Sequence, residues 1–166
     1  MQLRALFSGV GPALRHRSRA LCTLIVAAPL LAAAPAPESP AHGSNVSVTV
    51  SGLRSAKGQV LACLTAQPRA FPDCAKDPAS HKLAVAVGTE AVRLDFGAVS
   101  PGRYAIALLH DENGNGKADM ALFMPREGFG FSRDAPVRFG PPRFDAAAFV
   151  VADVAIHQTV RMRYMF

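Results

Sequence analysis

The sequence predicts an all-β fold, a single antiparallel β-sandwich with a long loop region rich in Gly and Asn. Three observations carry that expectation. Short runs alternate apolar and polar residues, turn residues separate the runs, and no stretch of ten or more residues after position 34 has helical periodicity. With 166 residues the chain has room for one such domain, because an ordinary core already uses about 100 to 150.

The elements follow in order. Val46, Val48 and Val50 alternate with Ser47, Thr49 and Ser51, the period of a strand with one wet face. A turn from Gly52 to Gly58 leads into Gln59 to Thr65, where Val60, Ala62 and Leu64 repeat the pattern. Val92, Leu94 and Phe96 alternate with Arg93, Asp95 and Gly97, and Pro101-Gly102 makes the next turn. Tyr104 to Leu109 is apolar on both parities, which marks a central strand covered on both sides. Phe144 to Phe149 suits one helical turn. The last run, through Val154, Ile156, Val160, Met162 and Tyr164, reads as a long, half-buried final strand.

The amino-terminal segment has a different composition. Arg4, Arg15, Arg17 and Arg19 precede an uncharged run, Ala20 to Ala34, and small residues follow it. That is the order of parts in a signal peptide, here residues 1–34, and the run is short of the roughly 20 residues of a membrane span. Cys22 lies inside it, in a local pattern that fits lipid attachment poorly. Residues 35–45 read as a flexible Pro, Ala and Ser linker, and 46–166 as the domain. The expected address is therefore periplasmic or secreted, in a bacterium, with no permanent membrane span after processing.

Export changes the charge argument. Four of the 18 Lys and Arg leave with the signal while all 12 Asp and Glu stay, so the mature chain carries fourteen basic against twelve acidic residues. Those basic residues are scattered singly, which excludes a nucleic-acid partner. Only Cys63 and Cys74 remain after processing, and an oxidising compartment favours a bridge over two buried thiols.

The informative stretch is His110 to Ala135. Asp111, Asn113 and Asn115 alternate, Gly116 follows, and Asp119 comes next, an arrangement matching the first nine positions of a calcium loop. Calcium takes six to eight hard oxygens, and a tight Asx-rich turn brings several to one point. Where such a loop supplies a bidentate Glu, this chain has Leu122, so Glu127 or Glu112 has to complete the site. Weak Ca²⁺ binding through Asp111, Asn113, Asn115, Asp119 and Glu127 is one expectation. The competing one is a purely structural turn, because Asn113-Gly114 and Asn115-Gly116 are also the commonest hairpin signal.

Catalytic arrangements are thin. His110 and Asp111 are neighbours, and neighbours on a strand face opposite ways. His110 and Glu112 share a parity only if the strand continues past the turn signal. Ser132 lacks the Gly-x-Ser-x-Gly elbow that exposes a nucleophile. Asp111 and Glu127 as paired carboxylates of a hydrolase form the enzyme alternative. Phe123, Phe129, Phe131, Phe139 and Phe144 read as a satellite core that anchors loops in preference to a ligand groove. His42, His81 and His157 lack ligand-like spacing and read as surface residues.

The succession PGRYAIALLHDENGNGKAD, then MPREGFGFS, then GPPRFDAAAF resembles a bacterial family catalogued as domain of unknown function 2141. The resemblance runs from Val46 to the carboxyl terminus. It implies a secreted or periplasmic protein and no particular activity. Members usually follow the second Asp with Thr-Asn and reach Gly-x-Pro, whereas Asp119 is followed here by Met120-Ala121, and Phe123-Met124 precedes Pro125. Arg133 stands where Asn is usual. Pro-Gly-x-Tyr before an apolar strand is also similar to the turn of transthyretin-like and carboxypeptidase-regulatory-like domains, so an immunoglobulin-like or transthyretin-like sandwich is the expected type. The functional expectation is an exported, non-catalytic envelope module with an unassigned activity. A calcium- or ligand-binding loop would be its working part, and an envelope protein or glycan its partner class. The main alternative is a purely structural or interaction domain.

Overall fold

Strand β1, Ser44–Ser51, turns Val46, Val48 and Val50 inward and leaves Ser47 and Thr49 partly exposed. It begins ahead of the valine alternation because Ser44 and Asn45 pair with Val99 and Ala98. The computed structural model describes residues 43–121, 124–138 and 140–165, all within the unit Glu38–Phe166. The expected signal peptide with Cys22, linker residues 35–42, His42, Leu122, Phe123 and Phe139 lie outside the described residues.

The remaining strands are β2 (Gln59–Thr65), β3 (His81–Ala86), β4 (Arg93–Val99), β5 (Gly102–Asp111), β6 (Met120–Ala121), β7 (Met124–Pro125), β8 (Gly128–Phe131), β9 (Phe149–Val151) and β10 (Ile156–Arg161). One helical turn, α1, covers Phe144–Ala147. The domain is all-β. One sheet has the order β10-β1-β4, a second has β3-β2-β5-β8 with β9 also on β5, and β6 and β7 form a small hairpin.

The structure corrects three expectations and adds a strand. The sheets are not wholly antiparallel, since β1 and β10 pair in parallel, Val46 opposite Ile156 and Val50 opposite Val160. A tight hairpin cannot join parallel neighbours, and the first and last strands have the whole domain between them as their connection. Val154 is 73% exposed and lies outside β10, so the final strand is shorter than its apolar pattern. His81–Ala86, absent from the strands expected, is an edge strand on β2. Gly128–Phe131, read as loop, pairs with β5.

The Gly-Phe-Gly-Phe run of β8 has a packing cause. A Cβ on Gly128 would lie 2.3 Å from the Tyr164 ring, and one on Gly130 would lie 2.6 Å from Val160 Cγ1. Only glycine admits the carboxyl-terminal segment this close. Phe129 and Phe131, at the alternate positions, enter a different cluster.

Two hydrophobic clusters flank β5. One joins both sheets through Val46, Val48, Val60, Leu64, Leu94, Ile106, Leu108 and Val160. The other sets Phe129, Phe131, Phe144, Ala147 and Ala148 over Ala105 and Ala107, with Phe71 packed against it. The double coverage expected of Tyr104 to Leu109 holds for Ala105 to Leu108, all four buried. Phe129, Phe131 and Phe144 are core residues.

Cys63 on β2 is bridged to Cys74, with their Cα atoms 5.9 Å apart. The bridge pins the connection that follows β2. Buried Thr65 donates to Asp77 Oδ2 nearby, and Asp77 Oδ1 accepts from the Ala79 amide.

Candidate functional site

Strand β5 ends at His110 and Asp111, both fully buried. The chain then leaves the sheet through two Asn-Gly pairs, whose Gly114 and Gly116 have φ of 72° and 76°. Left-handed backbone of this kind is open to glycine at little cost, and it folds the loop back over the strand end.

Asp111 organises that return. Its Oδ1 accepts from the Asn115 amide at 3.1 Å, and its Oδ2 accepts from the Gly116 amide at 2.8 Å and from Gln59 Nε2 at 2.9 Å. Burial alone would raise this carboxyl. Donation from Gln59 and from the Gly116, Asn115 and Gly114 amides outweighs it, and the group lies below its usual value.

The Asn side chains form the second tier. Asn113 Oδ1 accepts from the Asn115 amide at 3.0 Å and Asn115 Oδ1 from the Lys117 amide at 2.8 Å, the Asx-turn pattern. Their Nδ2 groups donate to the Asp119 carboxylate, at 2.6 Å from Asn113 and 3.1 Å from Asn115. The Asp119 carbonyl accepts from the Arg126 amide at 2.9 Å, so the chain has returned by this point.

That return delivers Glu127. Its Oε2 accepts from the Asp119 amide at 3.1 Å, the residue is 4% exposed, and its Oε1 has no hydrogen-bond partner among the described residues. Burial raises the Glu127 carboxyl. The Asp119 and Glu112 amides oppose the rise, and the charges of Asp111 and Asp119 add to it. All five residues expected to bind metal therefore belong to one connected assembly. Among the described residues, however, no three His, Cys, Asp or Glu side chains are spaced as a ligand set. The oxygens of Asp111 and Asp119 are turned toward N–H donors.

A second network starts at His110. Its Nε2 meets the Lys57 carbonyl at 2.9 Å and its Nδ1 meets the Tyr164 hydroxyl at 2.7 Å. A carbonyl only accepts, so Nε2 carries the hydrogen and Nδ1 accepts from tyrosine. Tyr164 Oη in turn accepts from the Arg54 amide at 3.1 Å, and the Arg54 guanidinium lies 4.5 Å above the tyrosine ring. Arg54 Nε also donates to Glu112 Oε2 at 3.0 Å, and Ser55 Oγ to Glu112 Oε1 at 2.6 Å. The hydrogen bond from Arg54 is the main cause that holds the Glu112 carboxyl at about 2, against an ordinary 4.5.

Ser132 and His157 are bonded elsewhere. Ser132 is fully buried, with Oγ donating to the Ala147 carbonyl at 2.6 Å and accepting from the Ile106 amide at 2.9 Å. It ties β5 to α1. His157 is exposed on the β1–β10 face, where its ring nitrogens lie 3.0 Å from Ser47 Oγ and 3.2 Å from Thr49 Oγ1. Sequence reasoning missed Gln59, Arg54, Lys57 and Tyr164 at this end. Their partners lie 52 to 110 residues away along the chain, and no local pattern marks them.

No curated protein and no solved structure matches the chain. One family model does, over residues 48–159, and its description is an uncharacterized protein conserved in bacteria, DUF2141. The match takes in β2 to β9, half of β1 and most of β10, so the loop around Asp111 and the Gly-Phe-Gly-Phe strand lie within it. The chain belongs to this DUF2141 family.

Proposed function

We propose that the protein is an exported, non-catalytic module of the bacterial envelope whose Asp111–Glu127 end takes a calcium ion weakly. A sandwich of the transthyretin-like kind would present that end, and the core shared by the two sheets supports this type. One observation carries the calcium reading. Glu127 is buried, and among the described residues its Oε1 lacks a partner beside the charges of Asp111 and Asp119. An unpartnered carboxylate oxygen is costly inside a protein, and a cation relieves that cost. Asp119, Asn113 and Asn115 supply further hard oxygens once the Asn amides rotate off Asp119.

A metal-free turn is the second reading. The donors already held by Asp111 favour it, because they order the loop without an ion. A hydrolase using Asp111 and Glu127 has no comparable support, since Asp111 is buried and committed to donors.

Calorimetric titration of the mature chain with CaCl₂ separates the first two readings. Saturable binding at about 10⁻⁴ to 10⁻³ M is expected, absent in Glu127→Gln. No heat and no shift in melting temperature at ten millimolar calcium would retire the metal.

A further inference from the structure

The geometry points to a second binding site, for a small organic carboxylate with an apolar body, in a cleft between the carboxyl-terminal segment and the Ser132–Asp134 turn. The cleft holds about 600 Å³, within the roughly 300 to 1,000 Å³ of small-molecule sites. Its walls differ in chemistry. Phe129, Tyr164 and Met165 form an apolar side, and Met165 is 42% exposed although large and hydrophobic. Arg161 and Arg163 supply two guanidinium groups.

The two arginines are not equally committed. Arg163 Nη2 donates to the Asp134 carbonyl at 3.1 Å and lies 2.9 Å from Asp134 Oδ2, while its Nη1 is buried without a partner among the described residues. The Arg161 guanidinium makes no hydrogen bond or ion pair among the described residues, and its stem packs on Gly52. Asp134 thus offsets one of the two positive charges and leaves one for a ligand. A guanidinium fork matches a carboxylate in shape as well as charge.

Backbone strain marks the same place. Arg133 and Asp134 have φ of 57° and 52°, left-handed conformations that cost non-glycine residues free energy and concentrate at ligand clamps. They put the Asp134 carboxylate on Arg163.

A small molecule fits better than a peptide strand. The backbone beside the cleft is already paired, with the Phe129 amide on the Arg163 carbonyl at 2.9 Å and the Arg163 amide on the Phe129 carbonyl at 2.8 Å. The Phe129 and Arg163 backbones thus leave a peptide nothing to pair with at these two residues.

The test is titration of the mature full chain with 3-phenylpropionate, followed by calorimetry and amide NMR shifts. Its uncharged amide serves as the comparison. Saturable binding of the carboxylate is expected, with shifts at Phe129 and Arg163. Arg161→Gln should weaken it by about tenfold, the effect of losing one charge-assisted contact, and Arg161→Lys by less. Arg161 and Met165 are exposed, so Arg161→Gln and Met165→Ala should leave the fold intact. Met165→Ala should weaken binding by a few-fold. The proposal is overturned if the amide binds as well as 3-phenylpropionate, if Arg161→Gln changes nothing, or if binding does not saturate. Repeating the titration with and without calcium, and in Glu127→Gln, separates this site from the loop: its affinity should not move.

Discussion

The two faces of β5 are packed by different means. Toward the other sheet, Ile106 and Leu108 meet branched aliphatic side chains from regular strands. On the outer face, Ala105 and Ala107 lie under aromatic rings carried by β8, by α1 and by the connection that follows β2. Phe71 stands 5.7 Å from Phe131 and 6.0 Å from Phe144, centroid to centroid. Backbone ladders lock the inner layer from both sides. Much of the outer layer is irregular, so its order depends on a few rings. Stability should therefore be uneven across the domain, with the outer layer opening first.

Four perturbations would break or sharpen that contrast. Phe131→Ala removes the ring shared by Phe71 and Phe129 and should cost about 3 to 5 kcal/mol. Hydrogen exchange should then quicken in residues 132–149 well before β1 and β2. Equal acceleration in β1 would erase the distinction. Leu64→Ala, in the inner layer, should cost about 2 to 5 kcal/mol in chemical denaturation. Here exchange should rise in both sheets together.

Replacing Cys63 and Cys74 by serine tests what holds Phe71 in place. The bridge closes a loop with a sequence separation of 11, worth about 2 to 3 kcal/mol in the chain-entropy account. Loss should appear first as mobility of the Phe71 ring by NMR, and an unchanged ring would assign its position to packing alone.

The smallest effect belongs to Glu112. Its carboxyl lies at about 2 in the folded chain and near 4.5 when unpaired. A lowered folded value stabilises above pH 4.5, and the contribution is lost as the pH falls through about 2. The pair is partly exposed, with Arg54 at 39% and Glu112 at 21%, so Glu112→Gln should cost only about 0.2 to 1 kcal/mol at neutral pH. Melting curves of variant and parent should converge near pH 2. A gap that persists there would place the effect outside the ion pair.

The contrast between the layers also explains what the sequence made legible. Val46, Val48 and Val50 alternate against one buried face, and period-two patterns of that kind reveal the inner strands directly. β8 was hidden because its glycines are depleted from ordinary strands, and only Tyr164 and Val160 crossing over them explain their use. β3 carries an alternation of half-buried His81, Leu83 and Val85 with exposed Lys82, Ala84 and Ala86, too weakly apolar to stand out. At the loop, Asp111, Asn113, Asn115 and Asp119 were readable as a group because their bonds are local. Glu127 follows from the need for one more carboxylate. Arg54, Gln59 and Tyr164 reach the same end through strand register, which one chain read in order does not display.

The parallel pairing of β1 with β10 has a kinetic consequence. A chain that emerges residue by residue from its amino terminus presents β1 early, yet β1 lacks one of its two neighbours until Arg161 has arrived. Until then its inward-facing valines lie next to an open strand edge, the kind of surface that recruits other chains. Closure of the three-stranded sheet is thus tied to the arrival of β10. A partly delivered copy is the species most exposed to aggregation, and a holding chaperone would act on it before the last strand docks.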